Sequence, residues 1–117
     1  VPFSELQLKE AEQAILNHSL NKPTVQWRQE RVAIGHDLYI NTVVVNRGTT
    51  SSSTGHRQQS GTPRTLVLLH GWCGAVAYWA ANFEGLLDHY DTLYAIDLLG
   101  WGRSSRPPAG YNDCSGI

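Results

Sequence analysis

Two short clusters carry the residue types best suited to chemistry. The first is His70-Gly71-Trp72-Cys73-Gly74. Its glycines let the backbone turn sharply and approach a ligand, and an exposed N–H in such a turn can stabilise a developing oxyanion. The second is Asp97-Leu98-Leu99-Gly100-Trp101-Gly102-Arg103-Ser104-Ser105-Arg106-Pro107. Arg103 and Arg106 bring guanidinium forks, which suit phosphate oxygens or a salt bridge at a sheet edge. Trp72, Tyr78, Trp79 and Trp101 are candidates for lining an acyl pocket, although Trp79 also fits a buried helical stripe. Cys73 could serve as a nucleophile only with a general base beside it. No base is paired with it by sequence, so it reads as a small residue in a tight turn.

Other chemistries fail on spacing. Gly100-x-Gly102 has Ser105 where a dinucleotide fingerprint needs its third glycine, and no Gly-Lys-Ser/Thr phosphate loop occurs. The five histidines and two cysteines show no zinc-ligand spacing. Neither a cofactor nor a metal is expected. Nine basic and ten acidic residues leave a net charge of −1, which gives no basic surface for nucleic acid. Cys73 and Cys114 are too few for a disulfide scaffold and fit a reducing, cytoplasmic compartment. No apolar run approaches the roughly 20 residues needed to span a bilayer.

The elements that must position these clusters follow from periodicity. Thr65–Leu69 is a short continuous apolar run, as expected of a strand buried on both faces. Val76, Trp79, Ala80, Phe83, Leu87 and Tyr90 predict a helix over 75–89, and Leu93–Ile96 predicts a second buried strand. Strand, helix, strand is a βαβ unit of a parallel sheet. Each cluster then follows a strand, where open α/β sheets place their active sites.

Upstream, Val25 and Trp27 share one parity while Val32 and Ile34 share the other, which predicts a strand with a bulge or break. Leu38–Val45 is rich in β-branched residues, and Gly35-His36-Asp37 between the two runs predicts a β-hairpin. Ser4 and Gln7 have capping-box spacing. Leu8, Ala11 and Ile15 then mark a helix over 5–18, with Lys9, Glu10, Glu12 and Gln13 on its other side and Asn21 and Pro23 ending it. Its narrow stripe implies weak docking on the body or on a membrane surface. Residues 47–64, centred on Thr49–Gly55, read as a flexible Ser/Thr/Gly-rich insertion. The length of 117 residues suits one domain. The expected division is an amino-terminal helix and linker over 1–23 and a partial α/β domain over 24–117.

His70-Gly71 after one buried strand, with Asp97, Gly100, Gly102 and Ser104 after the next, resembles the front half of an α/β-hydrolase. The run from Asp97 to Pro107, the Lys9-Glu10-Ala11-Glu12 helix and Tyr39-Ile40-Asn41-Thr42-Val43 resemble the α/β-hydrolase domain-containing four/five subfamily of lipid-metabolising proteins. The resemblance implies that the Trp72 backbone N–H is one arm of an oxyanion hole in the loop built by His70 and Gly71. It makes His70 a brace rather than a base, because the base histidine of such enzymes comes last in the chain. It makes Asp97 a structural carboxylate that organises the turn of Gly100, Gly102 and Ser104.

The implied activity is carboxylic ester hydrolysis or acyl transfer to lysophosphatidic acid. The alternative is a non-catalytic co-activator of a lipid-droplet lipase. The implied partners are a lipid or lipid-ester substrate, a lipid-droplet or organelle membrane surface, and a lipase. The departures from the pattern are specific. No Gly-x-Ser-x-Gly nucleophile elbow, no Gly-x-Asn-x-Gly substitute and no His-x4-Asp motif occurs. The expectation is therefore an incomplete α/β-hydrolase fold, an amino-terminal fragment inactive alone, with an open apolar sheet edge beside Leu93–Ile96.

Overall fold

The computed structural model describes residues 4–48 and 61–108. Four strands form one mixed sheet in the order β1-β2-β4-β3, with β1 at Val25–Gly35, β2 at Leu38–Arg47, β3 at Thr65–Leu69 and β4 at Thr92–Ile96. The first two strands pair antiparallel, with Trp27 opposite Val45 and Gln29 opposite Val43. Strand β2 also pairs antiparallel with β4, and β3 pairs parallel with β4. The hairpin turn is His36-Asp37. Both residues have positive φ, 52° and 58°, as a two-residue turn that follows the right-handed twist requires. The parity change in β1 is not a break: the strand is continuous, with a register shift only between Ala33 and Gly35. Val32 and Ile34 lie exposed near the hairpin tip.

Helix α1 spans Glu5–Leu20, two residues beyond the predicted end, with the Ser4 side chain accepting from the Gln7 N–H and Asn21 as its C-cap. Its buried stripe is rotated from the predicted one. Glu12, Leu16 and Leu20 face inward, while Ala11 and Ile15 are exposed. The reason is chemical: Glu12 has a buried cationic partner, so a charged residue takes a core position that hydrophobicity alone would deny it. Leu16 and Leu20 join Val43, Val45, Val76, Phe83, Leu87, Leu93 and Ala95 in one core cluster.

The helix predicted over 75–89 is instead two short pieces, a 3₁₀ turn at Val76–Trp79 and α2 at Phe83–Leu86. The Ala80 and Asn82 N–H groups bond three residues back, to Ala77 and Trp79, so the winding is tight and interrupted. Val76, Phe83 and Leu87 are nevertheless buried together, which explains why the segment mimics a single helical stripe.

Two further expectations are corrected. Strand β3 is covered on one face only: Leu68 is buried, whereas Val67 and Leu69 are each 54% exposed. The open sheet edge is β3 rather than β4, because the crossover inserts β4 between β2 and β3. In the segment expected to be a flexible insertion, Arg47 is the last residue of β2, and residues 49–60 lie outside the described residues. Among the described residues, no helix is long and apolar enough to cross a membrane.

Candidate functional site

Both clusters lie at the carboxyl ends of adjacent parallel strands, His70–Gly74 after β3 and Asp97–Arg106 after β4. Asp97 is fully buried and is the hub between them. Its Oδ2 accepts from Asn41 Nδ2 at 2.7 Å and from the Arg103 N–H at 2.8 Å. Its Oδ1 accepts from the Val76 N–H at 2.8 Å. One carboxylate thus ties together β2, its own turn and the segment that leaves the first cluster. Such charge-assisted bonds are among the strong ones.

The turn after Asp97 closes on itself and on β2. Ser104 Oγ donates to the Asp97 carbonyl at 2.6 Å and accepts from the Asn41 N–H at 2.8 Å. Ser105 Oγ accepts from the Tyr39 N–H at 2.8 Å, and the Ser105 N–H donates to the Tyr39 carbonyl at 3.0 Å. These two serines continue the β2 ladder where β4 ends, so the backbone groups of Tyr39 and Asn41 remain paired. Gly102 has φ +50°, and a Cβ there would stand 2.4 Å from the Asp97 carboxylate carbon. The turn wraps the carboxylate too closely for any side chain.

His70 is buried and bonded at both ring nitrogens. The Leu98 N–H donates to Nε2 at 3.0 Å, and Nδ1 lies 2.8 Å from the Gly71 carbonyl. An amide can only donate, so Nε2 is the acceptor and Nδ1 carries the proton. The imidazole links the two clusters, and its edge faces the Trp101 ring, with centroids 6.3 Å apart. Gly74 sits against it: a Cβ at Gly74 would meet His70 Cβ at 2.8 Å.

Between His70 and Val76 the loop carries little restraint of its own. The Gly74 N–H bonds the Gly71 carbonyl at 3.0 Å. Cys73 is exposed and held at φ +58°, a left-handed conformation that costs a residue bearing a Cβ. The Trp72 side chain is 86% exposed, and its backbone N–H has no hydrogen-bond partner among the described residues. Tyr78 is exposed, while Trp79 is half-buried against the core and Trp101 half-buried beside His70.

The arginines do not stand free. Arg103 is buried and pairs with Glu12, its Nη1 3.0 Å from Glu12 Oε1. Arg106 donates to the carbonyls of Ser104 and Gly102 at 2.9 and 3.0 Å. Arg103 as a phosphate fork is thereby corrected: it is an internal strut. The polar partners missed by sequence reasoning are Glu12, Gln29 and Asn41. Gln29 Nε2 donates to Glu12 Oε1, and also to Asn41 Oδ1 at 3.0 Å. The available signal was Asn41, an amide in a strand whose neighbouring positions are mostly apolar or β-branched. Among the described residues, no group of three His, Cys, Asp or Glu side chains could hold a metal ion.

A β1-β2-β4-β3 sheet with paired loops at the carboxyl ends of β3 and β4 defines the opening of an α/β-hydrolase fold. A family model described as alpha/beta hydrolase fold matches residues 64–115, and the chain carries part of that fold. It is similar to 1-acylglycerol-3-phosphate O-acyltransferase ABHD5 of Rattus norvegicus, 56% identical over 52 residues, or 44% of this chain and 14% of that protein. It is also similar to the (Lyso)-N-acylphosphatidylethanolamine lipase of Mus musculus, 37% identical over 101 residues, or 86% of this chain and 25% of that protein. Among solved structures, the haloalkane dehalogenase DatA from Agrobacterium tumefaciens C58 matches with a TM-score of 0.50 and 28% identity, over 73% of this chain and 23% of that one. The chain thus spans a quarter or less of the length of these relatives.

Proposed function

We propose that this chain supplies the oxyanion arm of a lipid-metabolising α/β-hydrolase acting on carboxylic esters or transferring acyl groups to lysophosphatidic acid. The observation that carries the reading is the Trp72 N–H, unpartnered among the described residues in an exposed loop whose two ends are anchored by His70 and Val76. When a nucleophilic hydroxyl gives its proton to a general base and adds to an ester carbonyl, the carbonyl π electrons move to oxygen. A preorganised N–H donor then stabilises the resulting oxyanion until it collapses and expels the leaving oxygen. The Gly71 carbonyl accepts the Gly74 N–H to close the turn and His70 braces it, while Asp97 with Gly100, Gly102 and Ser104 holds the neighbouring turn.

The activities for which the two relatives are named, acyl transfer to a 1-acylglycerol-3-phosphate and lipase action on an N-acylphosphatidylethanolamine, support a lipid substrate. The attacking group, acid and base belong outside residues 1–117 in this reading, since no Gly-x-Ser-x-Gly occurs within them. The proposed setting is cytoplasmic, at the surface of lipid droplets or organelle membranes. The proposed organisation joins an amino-terminal helix and linker, 1–23, to the partial hydrolase domain.

The test is to translate the reading frame beyond Ile117, treat the product with an alkyl fluorophosphonate and map the adduct. Assays on lysophosphatidic acid with acyl-CoA and on N-acylphosphatidylethanolamine accompany it. The proposal predicts an adduct on the serine of a Gly-x-Ser-x-Gly and turnover of one of the two lipids. A product without that serine and without turnover, but able to stimulate a lipase, overturns catalysis in favour of a co-activator.

A further inference from the structure

The strongest feature outside the two loops is the buried polar chain that runs from α1 to them. Glu12 and Arg103 are 91 positions apart, with side chains only 3% and 7% exposed. Glu12 Oε1 takes the Arg103 guanidinium, the Gln29 amide and, at 3.5 Å, the Asn41 amide. Among the described residues Glu12 is the ion-pair partner of Arg103, whose buried Nε has no hydrogen bond. The Arg103 backbone N–H and the Asn41 amide both bond Asp97 Oδ2, and Asp97 Oδ1 bonds the Val76 N–H. Glu12 is therefore two residues removed from the backbone that ends the loop of His70–Gly74.

We propose that Glu12 is a positioning residue: from the amino-terminal helix, through Arg103 and Asp97, it sets the conformation of the oxyanion loop. The assignment of that loop rests on the preceding reading, but the coupling of Glu12 to it does not. A buried ion pair is weak grounds for stability as such, because desolvation offsets most of the attraction. Its cost is specific when one partner is lost. Without Glu12 the Arg103 guanidinium is left buried and uncompensated, and it must move toward water. Residue 103 cannot move without disturbing its own N–H bond to Asp97. The disturbance then passes to Val76 by the opposite carboxylate oxygen and, along the backbone after Asp97, to the Leu98 bond with His70. The backbone amides of Val43 in β2 and Ala95 in β4, which face each other across the sheet, bond none of these side chains.

The test is amide hydrogen exchange, residue by residue, on the protein translated through and beyond residue 117. Glu12→Ala is expected to speed exchange at Val76, Leu98 and Arg103 by about tenfold or more relative to Val43 and Ala95. Glu12→Gln, which keeps an acceptor of the same reach but not the charge, is expected to restore only part of the protection. An equal acceleration at both sets of amides means that Glu12 serves packing alone and overturns the proposal, as does no acceleration at all. If Glu12→Ala does not fold, the double variant Glu12→Leu/Arg103→Met decides. It removes both charges and keeps apolar volume, so a route through the stranded Arg103 charge predicts a folded protein with full protection at Val76 and Leu98, whereas selective loss there refutes that route. Failure of the lipid assays leaves these exchange results standing, so the two proposals fail separately.

Discussion

The two loops at the carboxyl ends of the parallel strands are built in opposite ways. The loop after β4 is saturated: Asp97, Ser104 and Ser105 pair with β2, with their own turn and with the neighbouring segment. The loop after β3 is pinned at His70 and Val76 and otherwise open, with Trp72 exposed and Cys73 in left-handed backbone. On the proposed function, the contrast separates scaffold from instrument. A donor meant for a transient oxyanion must stay unspent in the resting protein. The restraint that keeps it in place is therefore supplied from outside the loop, by the saturated one.

Substitutions sharpen that contrast when ranked by their effect on unfolding free energy in urea. Asp97→Ala removes the acceptor of three donors at once and is expected to cost about 4 kcal/mol or more. That is most of the stability of a domain at the low end of the ordinary range of about 5–15 kcal/mol. Gly102→Ala retains Asp97 but drives a Cβ against its carboxylate, with an expected loss of about 2–3 kcal/mol. In the open loop the sign reverses. Cys73→Gly relieves the left-handed strain and is expected to raise stability by about 0.5–1 kcal/mol. Trp72→Ala removes a side chain that is almost wholly in water and is expected to change stability by less than about 0.5 kcal/mol. A large loss for Trp72→Ala, or tolerance of Asp97→Ala, would erase the distinction between the two loops.

Much of this arrangement is legible in the sequence. The hairpin, the βαβ unit and the two glycine-rich clusters follow from period-two alternation, short apolar runs and breakers, each a local signal. What escapes is what depends on pairing across the chain. Glu12 looks like a solvated residue until Arg103, 91 positions on, is brought against it, and that pairing rotates the buried face of α1. The single helix expected over 75–89 fails for a similar reason. Its apolar spacing is right, but the Val76 N–H is held by Asp97 and the following turns close at three residues. The edge position of β3 is topological, decided by where the crossover lays β4. Trp72 illustrates the converse: its side chain draws attention as a pocket aromatic, while its backbone N–H carries the proposed chemistry.

The most direct test of that assignment compares two substitutions at one position, in the protein translated through and beyond residue 117 and assayed on the two proposed lipid substrates. Trp72→Ala keeps the N–H, whereas Trp72→Pro removes it at a site where the side chain is exposed. The account predicts that Trp72→Ala retains kcat within a few-fold, while Trp72→Pro, still folded by its unfolding transition, loses about 10²–10³-fold in kcat with little change in KM. Equal activity of the two variants would contradict it.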